Sequence, residues 1–247
     1  MRIQYIAFAA GILLAGNGVS SASSILYQEN FDVPFAAGQS YITATAANLG
    51  SEWSFYSSTT QGLREIFNWG GSRGGVLILH DGVNDSTYTL NEAILTIDLL
   101  GKTNVELGFD HYDSNDEEHP MGTSAFTGHL NKDGVAISSN GTNWFPLINF
   151  SQADNTWVTY SANISSFIAS LNNPLLQLTS QFFIKFQQYD NRRHGDDGRK
   201  FDNLVIAGMM PPDQPPGQGV VPEPATATLF GIGLIGMAFY RRRRRQA

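Results

Sequence analysis

Short segments in which apolar and polar residues alternate fill the middle of the chain. In EAILTIDLL, Ala93, Leu95, Ile97 and Leu99 fall on one face. In TNVELGFDHY, Val105, Leu107 and Phe109 alternate with Glu106, Gly108 and Asp110, and in QFFIKFQQYD, Phe182, Ile184 and Phe186 alternate with Lys185 and Gln187. A period of two puts successive side chains on opposite sides of an extended backbone, so each segment predicts a strand with one buried face. GVLILH, from Gly75 to His80, is apolar almost throughout and predicts a strand buried on both faces. NTWVTYSANI and KFDNLVIAG (Lys200 to Gly208) add further strands, and only ISSFIASL (Ile164 to Leu171) has helical spacing. Asn140-Gly141 predicts a type I′ hairpin turn between Val135–Ile137 and Trp144–Leu147. About ten short strands separated by Gly- and Asn-rich turns predict an all-β fold, a two-sheet antiparallel jelly-roll-like sandwich.

The two ends follow different patterns. Arg2 and the apolar run Ile6 to Val19, with small residues at Ser20 and Ala22, have the form of a secretory signal peptide spanning residues 1–22. A permanent membrane helix is the alternative, but the run is shorter than the ~20 residues a span needs. The sandwich is expected over residues 23–208, followed by a Pro-rich linker at 209–220. Six prolines between Pro211 and Pro224 keep this stretch out of any packed sheet. Ala225 to Tyr240 is apolar and predicts a C-terminal hydrophobic helix, marginal in length for a bilayer, and Arg241, Arg242, Arg243, Arg244 and Arg245 follow it. The positive-inside rule keeps those arginines cytoplasmic while the signal peptide sends the domain across.

Charge sharpens this division. Arg2 and the five tail arginines account for six of the 15 Lys and Arg, which leaves nine against 21 of the 22 acids in the central region, a balance of −12. Such a domain repels nucleic acid phosphates, so no nucleic acid partner is expected and the arginine run is not a nucleic-acid arm. The chain has no cysteine, which excludes disulfides, thiolate metal sites and cysteine nucleophiles.

Val221-Pro222-Glu223-Pro224, then an apolar helix, then a terminal arginine cluster, resembles the PEP-CTERM sorting signal over residues 221–247. The resemblance implies a Gram-negative source that makes exopolysaccharide. It implies recognition by exosortase, a membrane cysteine protease, with cleavage near Pro222, Glu223 and Pro224. The protein would then be held only transiently in the inner membrane and would reach the cell surface or the extracellular matrix of a biofilm.

Within the central region, DHYDSNDEEH (Asp110 to His119) gathers five acids and two histidines, suited either to a hard cation or to acid–base work, or simply a solvated loop. DNRRHGDDGRK (Asp190 to Lys200) mixes charges that can pair internally or share a ligand site with the first loop. His111, Asp113, Glu117 and Arg193 are therefore candidate ligand-binding residues. Trp53, Tyr56, Phe67 and Trp69 cluster before the buried GVLILH strand, either as core or as a platform for sugar rings, with Trp69 the candidate for exposure because its neighbours are loop residues. QENFD (Gln28 to Asp32) and KFDNLVI (Lys200 to Ile206) resemble the opening and closing strands of MAM-like, concanavalin-A-like and carbohydrate-binding jelly rolls. That resemblance implies neighbouring first and last strands and a structural calcium ion beside them, with Glu29, Asp32 and Asp202 as ligands. ISSNGTNW (Ile137 to Trp144) resembles a tight structural hairpin of secreted β domains, with Trp144 folded into the core. No nucleophile elbow or P-loop is present, and no catalytic set is assigned. The expected role is adhesion, matrix structure or glycan binding. The alternative is a polysaccharide hydrolase or lyase working from the 110–119 loop.

Overall fold

Alternation translates directly into layers. The computed structural model describes residues 23–114, 117–150, 155–192 and 198–210. The signal peptide, the linker from Pro211 onward, Pro222–Glu223–Pro224, the hydrophobic tail and its arginines lie outside the described residues, as does Arg193. Among the described residues no helix is long and apolar enough to cross a membrane.

The strands in chain order are β1 (Ser23–Glu29), β2 (Tyr41–Thr43), β3 (Trp53–Ser57), β4 (Gly62–Gly70), β5 (Gly74–Asp81), β6 (Thr89–Ile97), β7 (Thr103–Asp113), β8 (Phe126–Thr127), β9 (Gly134–Ser138), β10 (Asn143–Asn149), β11 (Val158–Asn163), β12 (Phe182–Asp190) and β13 (Arg199–Met209). Two short helices, α1 (Ala46–Leu49) and α2 (Ile164–Leu171), complete the order. The strands form two antiparallel sheets, in the order β11-β7-β13-β5-β4-β2 with β1 also on β13, and β3-β6-β12-β9-β10-β8. The chain is thus the expected all-β sandwich. Its first and last strands pair, Glu29 opposite Leu204 and Ser23 opposite Met209.

Cross-strand pairs share a face. Phe201 on β13 sits opposite Leu77 on β5 and His111 on β7, and Leu107 opposite Ile206. These side chains point inward with Ile66, Phe109, Trp53, Leu95, Ile184 and Phe186 to form one core between the sheets. The α2 helix begins at an Asn163 cap whose side chain accepts from Ser166 N, and it ends where Asn172 turns left-handed.

The structure departs from the sequence reading in three places. Lys185 and Gln187, expected on the solvent side of β12, are fully buried. Residues 119–133 run across the outer face of the six-stranded sheet and cover them. Lys185 Nζ lies 2.9 Å from Glu92 Oε1 and donates to Gly128 O, and Gln187 Nε2 donates to Leu130 O and Lys132 O. Trp144 is buried beneath this strap with Met121 and Ala136, in a small cluster apart from the main core. The β9–β10 hairpin forms, but its turn is not type I′. Positive φ occurs at Gly141 and not at Asn140, because the Asn140 side chain accepts from the amides of Thr142 and Asn143 and closes the loop itself.

His111 is the third departure. It stacks on Phe150, ring centroids 4.1 Å apart, inside the sandwich rather than in the charged loop. Burial first, and then the charges of Arg199 and Lys200, hold its pKa well below the usual histidine value. The folded ring therefore stays neutral where the unfolded one protonates, so its contribution is complete above the unfolded pKa of about 6.5 and is lost as pH falls below it. Denaturant unfolding of His111→Phe beside the native protein should show the difference in stability shifting by about 2 kcal/mol in favour of the variant between pH 7.5 and 5. A pH-independent difference would refute the assignment.

Candidate functional site: an aromatic cleft on the seven-stranded sheet

The outer face of the larger sheet carries an unusual concentration of rings. On β4, Ile66 points into the core, so Phe67 and Trp69 belong to the register of the opposite face. Tyr41 lies opposite Phe67 on the neighbouring strand β2 and stacks on it at 4.9 Å. Trp69 continues the row, 6.0 Å from Phe67, and reaches Tyr112 of β7 and Trp157 just before β11, each at 5.3 Å. Tyr112 and Trp157 are themselves 5.5 Å apart. These rings border an open cleft of about 330 Å³ lined by Phe67, Trp69, Tyr112, Ser114 and Lys200. Trp69 is 37% exposed, while Trp53 and Trp144 are 1% exposed.

The hairpin between β4 and β5 sets this geometry. Gly74 has φ of 70°, and a Cβ there would meet Asp32 Oδ1 at 1.9 Å. The missing side chain lets Asp32 approach and accept the amide of Gly75 at 2.9 Å. The segment after β1 thereby braces the hairpin that carries Trp69 and Arg73. Arg73 Nη1 lies 2.7 Å from Asp202 Oδ2 and 3.2 Å from Asp110 Oδ2, with the guanidinium carbon 3.8 Å above the Trp157 ring. Asp110 also accepts from Thr159 Oγ1 and Asn203 Nδ2. The two carboxylates respond differently. Burial pushes Asp202 up to about 6 against the pull of the Asn203 amide and Arg73. At Asp110 burial also opposes ionisation, but the donors Thr159, Asn203 and Arg73 together hold it below the usual carboxylate range.

The two charged loops do meet at their roots. Ser114 N donates to Gly198 O, and Lys200 Nζ hydrogen-bonds Ser114 Oγ, so the cleft wall includes the start of one loop and the end of the other. Their inner residues do not face the cleft. Asp113 is fully buried, its Oδ2 2.9 Å from Arg199 Nη1. Arg199 also lies 3.4 Å from Asp133 and 3.7 Å from Glu118. Asp113 is thus a structural counter-ion and not a surface ligand, for the same reason as His111: both alternate inward along β7. Glu117 stays in the loop, partly exposed.

Of the three residues expected to hold calcium, Glu29 accepts the amide of Phe31, Asp32 accepts that of Gly75, and Asp202 pairs with Arg73. Among the described residues no three acids or histidines gather closely enough to hold an ion. Trp69 is at the surface, as its loop neighbours suggested, whereas Trp53 is core and Tyr56 stacks on His129 above the other sheet. Tyr41, Tyr112 and Trp157 were not singled out from the sequence. Tyr112 was legible in principle, since alternation along β7 sets it outward between the inward His111 and Asp113.

The family model for the PEP-CTERM protein-sorting motif matches residues 220–245. The chain carries a PEP-CTERM sorting signal. This motif directs export and sorting to the cell envelope or surface. Among curated proteins no sequence matches the chain. Among solved structures the chain is similar to the tandem CBM22 domains of Paenibacillus barcinonensis Xyn10C, at 12% identity and a TM-score of 0.37. That likeness covers 80% of this chain but only half the length of the tandem. The family 11 carbohydrate-binding module of the cellulase Lic26A-Cel5E of Clostridium thermocellum is 16% identical over 76% of this chain and 98% of its own, with a TM-score of 0.40. A Stig cyclase of Fischerella sp. TAU is 12% identical over 76% and 99%, with a TM-score of 0.44. Each is a likeness of fold.

A calcium ion bound by Glu29, Asp32 and Asp202 would compete with Arg73 for Asp202. Melting the purified protein in excess calcium and in chelator tests the site: a fall in chelator places an ion there, and an unchanged melt removes it.

Proposed function

We propose that this exported protein is a non-enzymatic surface or matrix component whose sandwich binds glycans in the aromatic cleft. The observation that carries the reading is the continuous row Tyr41–Phe67–Trp69–Trp157 and Tyr112 on an open sheet face. A sugar ring presents apolar C–H groups on its faces and hydroxyls at its rim. Flat indole and phenol rings match the faces, and Ser114 and the Asp110–Asn203 group supply polar partners at the edges. Spending large rings on an outer face is otherwise unfavourable, since contiguous exposed apolar surface invites association. The hydrolase or lyase reading is weaker. It needs the acids of the 110–119 loop at a reacting centre, yet Asp113 is buried against Arg199 and Asp110 is held by three donors.

Affinity electrophoresis through gels containing soluble polysaccharides tests the cleft. The native protein should be retarded by at least one of them, and Trp69→Ala and Trp157→Ala should each weaken retention about tenfold, or about 1.4 kcal/mol. Unchanged retention in both variants would remove the cleft from the function.

Exosortase is the proposed processing partner, acting at Pro222–Glu223–Pro224 while the apolar tail holds the chain in the inner membrane. Replacing these three residues by alanine should leave an uncleaved precursor in the inner membrane fraction on immunoblotting. Normal release of that variant would sink the assignment.

A further inference from the structure

The wall of the cleft is held by one cation. In the β4–β5 turn, Arg73 contacts Asp202 on β13, Asp110 on β7 and the ring of Trp157 ahead of β11 at once. Trp157 leads into the edge strand of its sheet, where β11 pairs with β7 alone. Its ring is therefore positioned by side-chain packing, between the Arg73 guanidinium on one side and Trp69 and Tyr112 beside it.

We propose that Arg73 is a positioning residue, a latch that holds Trp157 against Trp69, with Asp202 and Asp110 as its counter-ions. The inference rests on the glycan-binding reading only for its consequence, that retention of a glycan depends on Arg73. The charged groups around Asp202 are Arg73 from the β4–β5 turn, Asp110 from β7 and Lys200 from its own strand. Asp32, at the same hairpin, is turned to the Gly75 amide, and Glu29 of β1 to the Phe31 amide. The facing β11 side chain is the neutral Thr159, which donates to Asp110.

Asp202 and Asp110 share one guanidinium, so Arg73 is held from two strands at once and the Trp157 ring stacked on it is held with them.

Acrylamide quenching of tryptophan fluorescence on the full chain tests the latch. Trp53 and Trp144 are buried, so among the described tryptophans the quencher reads Trp69 and Trp157. At pH 7.5 Arg73→Met and Asp202→Asn should each raise the quenching constant about twofold over the native protein. The far-UV spectrum should stay unchanged throughout. Arg73→Lys keeps a charge without the planar stack and should fall between, which covers the case in which Arg73→Met does not fold. Native-like quenching in folded Arg73→Met and Asp202→Asn overturns the proposal. Retention by hydroxyethylcellulose, a soluble neutral glucan, is measured in parallel. Retention that is lost in Trp69→Ala while Arg73→Met quenches like the native protein sinks the latch and leaves binding. The predicted quenching changes with no retention of the native protein on this or any other polysaccharide tested sustain the latch and sink the glycan reading.

Discussion

The buried guanidinium of Arg199 ties the two sheets together at one end of the sandwich. Arg199 and Asp113 belong to adjacent strands of the larger sheet, whereas Asp133 leads into β9 of the smaller one. Asp133 in turn accepts the amides of Tyr189 and His119, which fixes the end of β12 and the start of the strap. A buried cation without counter-ions is prohibitively costly, and removing one partner of such a group typically costs about 3–5 kcal/mol. Burial nonetheless pushes Asp133 up to about 7, against the pull of Arg199 and the two amides. The arrangement specifies how the sheet ends and both charged loops meet more than it adds to stability.

That constraint frees the outer face of the larger sheet. Because Arg199 points inward, its neighbour Lys200 must point outward, and Tyr112 opposite it does the same. Asp113 and Arg199, at the roots of the charged loops, are thereby consumed in structure, and the rings lie beside them. The opposite sheet shows the contrary solution. There the strap from His119 to Asp133 covers Lys185, Glu92 and Gln187; its backbone carbonyls accept from Lys185 and Gln187, and its His129 ring bonds Glu92. On the outer face of the larger sheet Val76, Ile78 and Lys200 are also buried, while Trp69 is exposed.

The segments Ala93–Leu99, Val105–Phe109 and Phe182–Phe186 identified their strands and inward faces correctly, since a two-residue period has one physical realisation in a half-buried strand. Trp69 was legible because glycine and polar neighbours leave a large ring no interior to enter. Lys185 and His111 were not. Whether a polar face is covered depends on a strap that arrives from 55 to 57 residues away in sequence, and whether a histidine at the edge of an acidic run points in or out depends on one residue of register.

The sequence by itself determined where the chain is sent, because Val221-Pro222-Glu223-Pro224, the apolar run and Arg241–Arg245 are contiguous and are read as a linear signal. It also determined the class of fold, through strand periodicity. Tertiary structure alone decided the site. Tyr41, Phe67, Trp69, Tyr112 and Trp157 come from four separate stretches of chain, and Arg73 joins Asp110 to Asp202 across 92 positions of sequence. No local pattern encodes such a meeting; it follows from the order in which β4, β5, β13, β7 and β11 lie side by side.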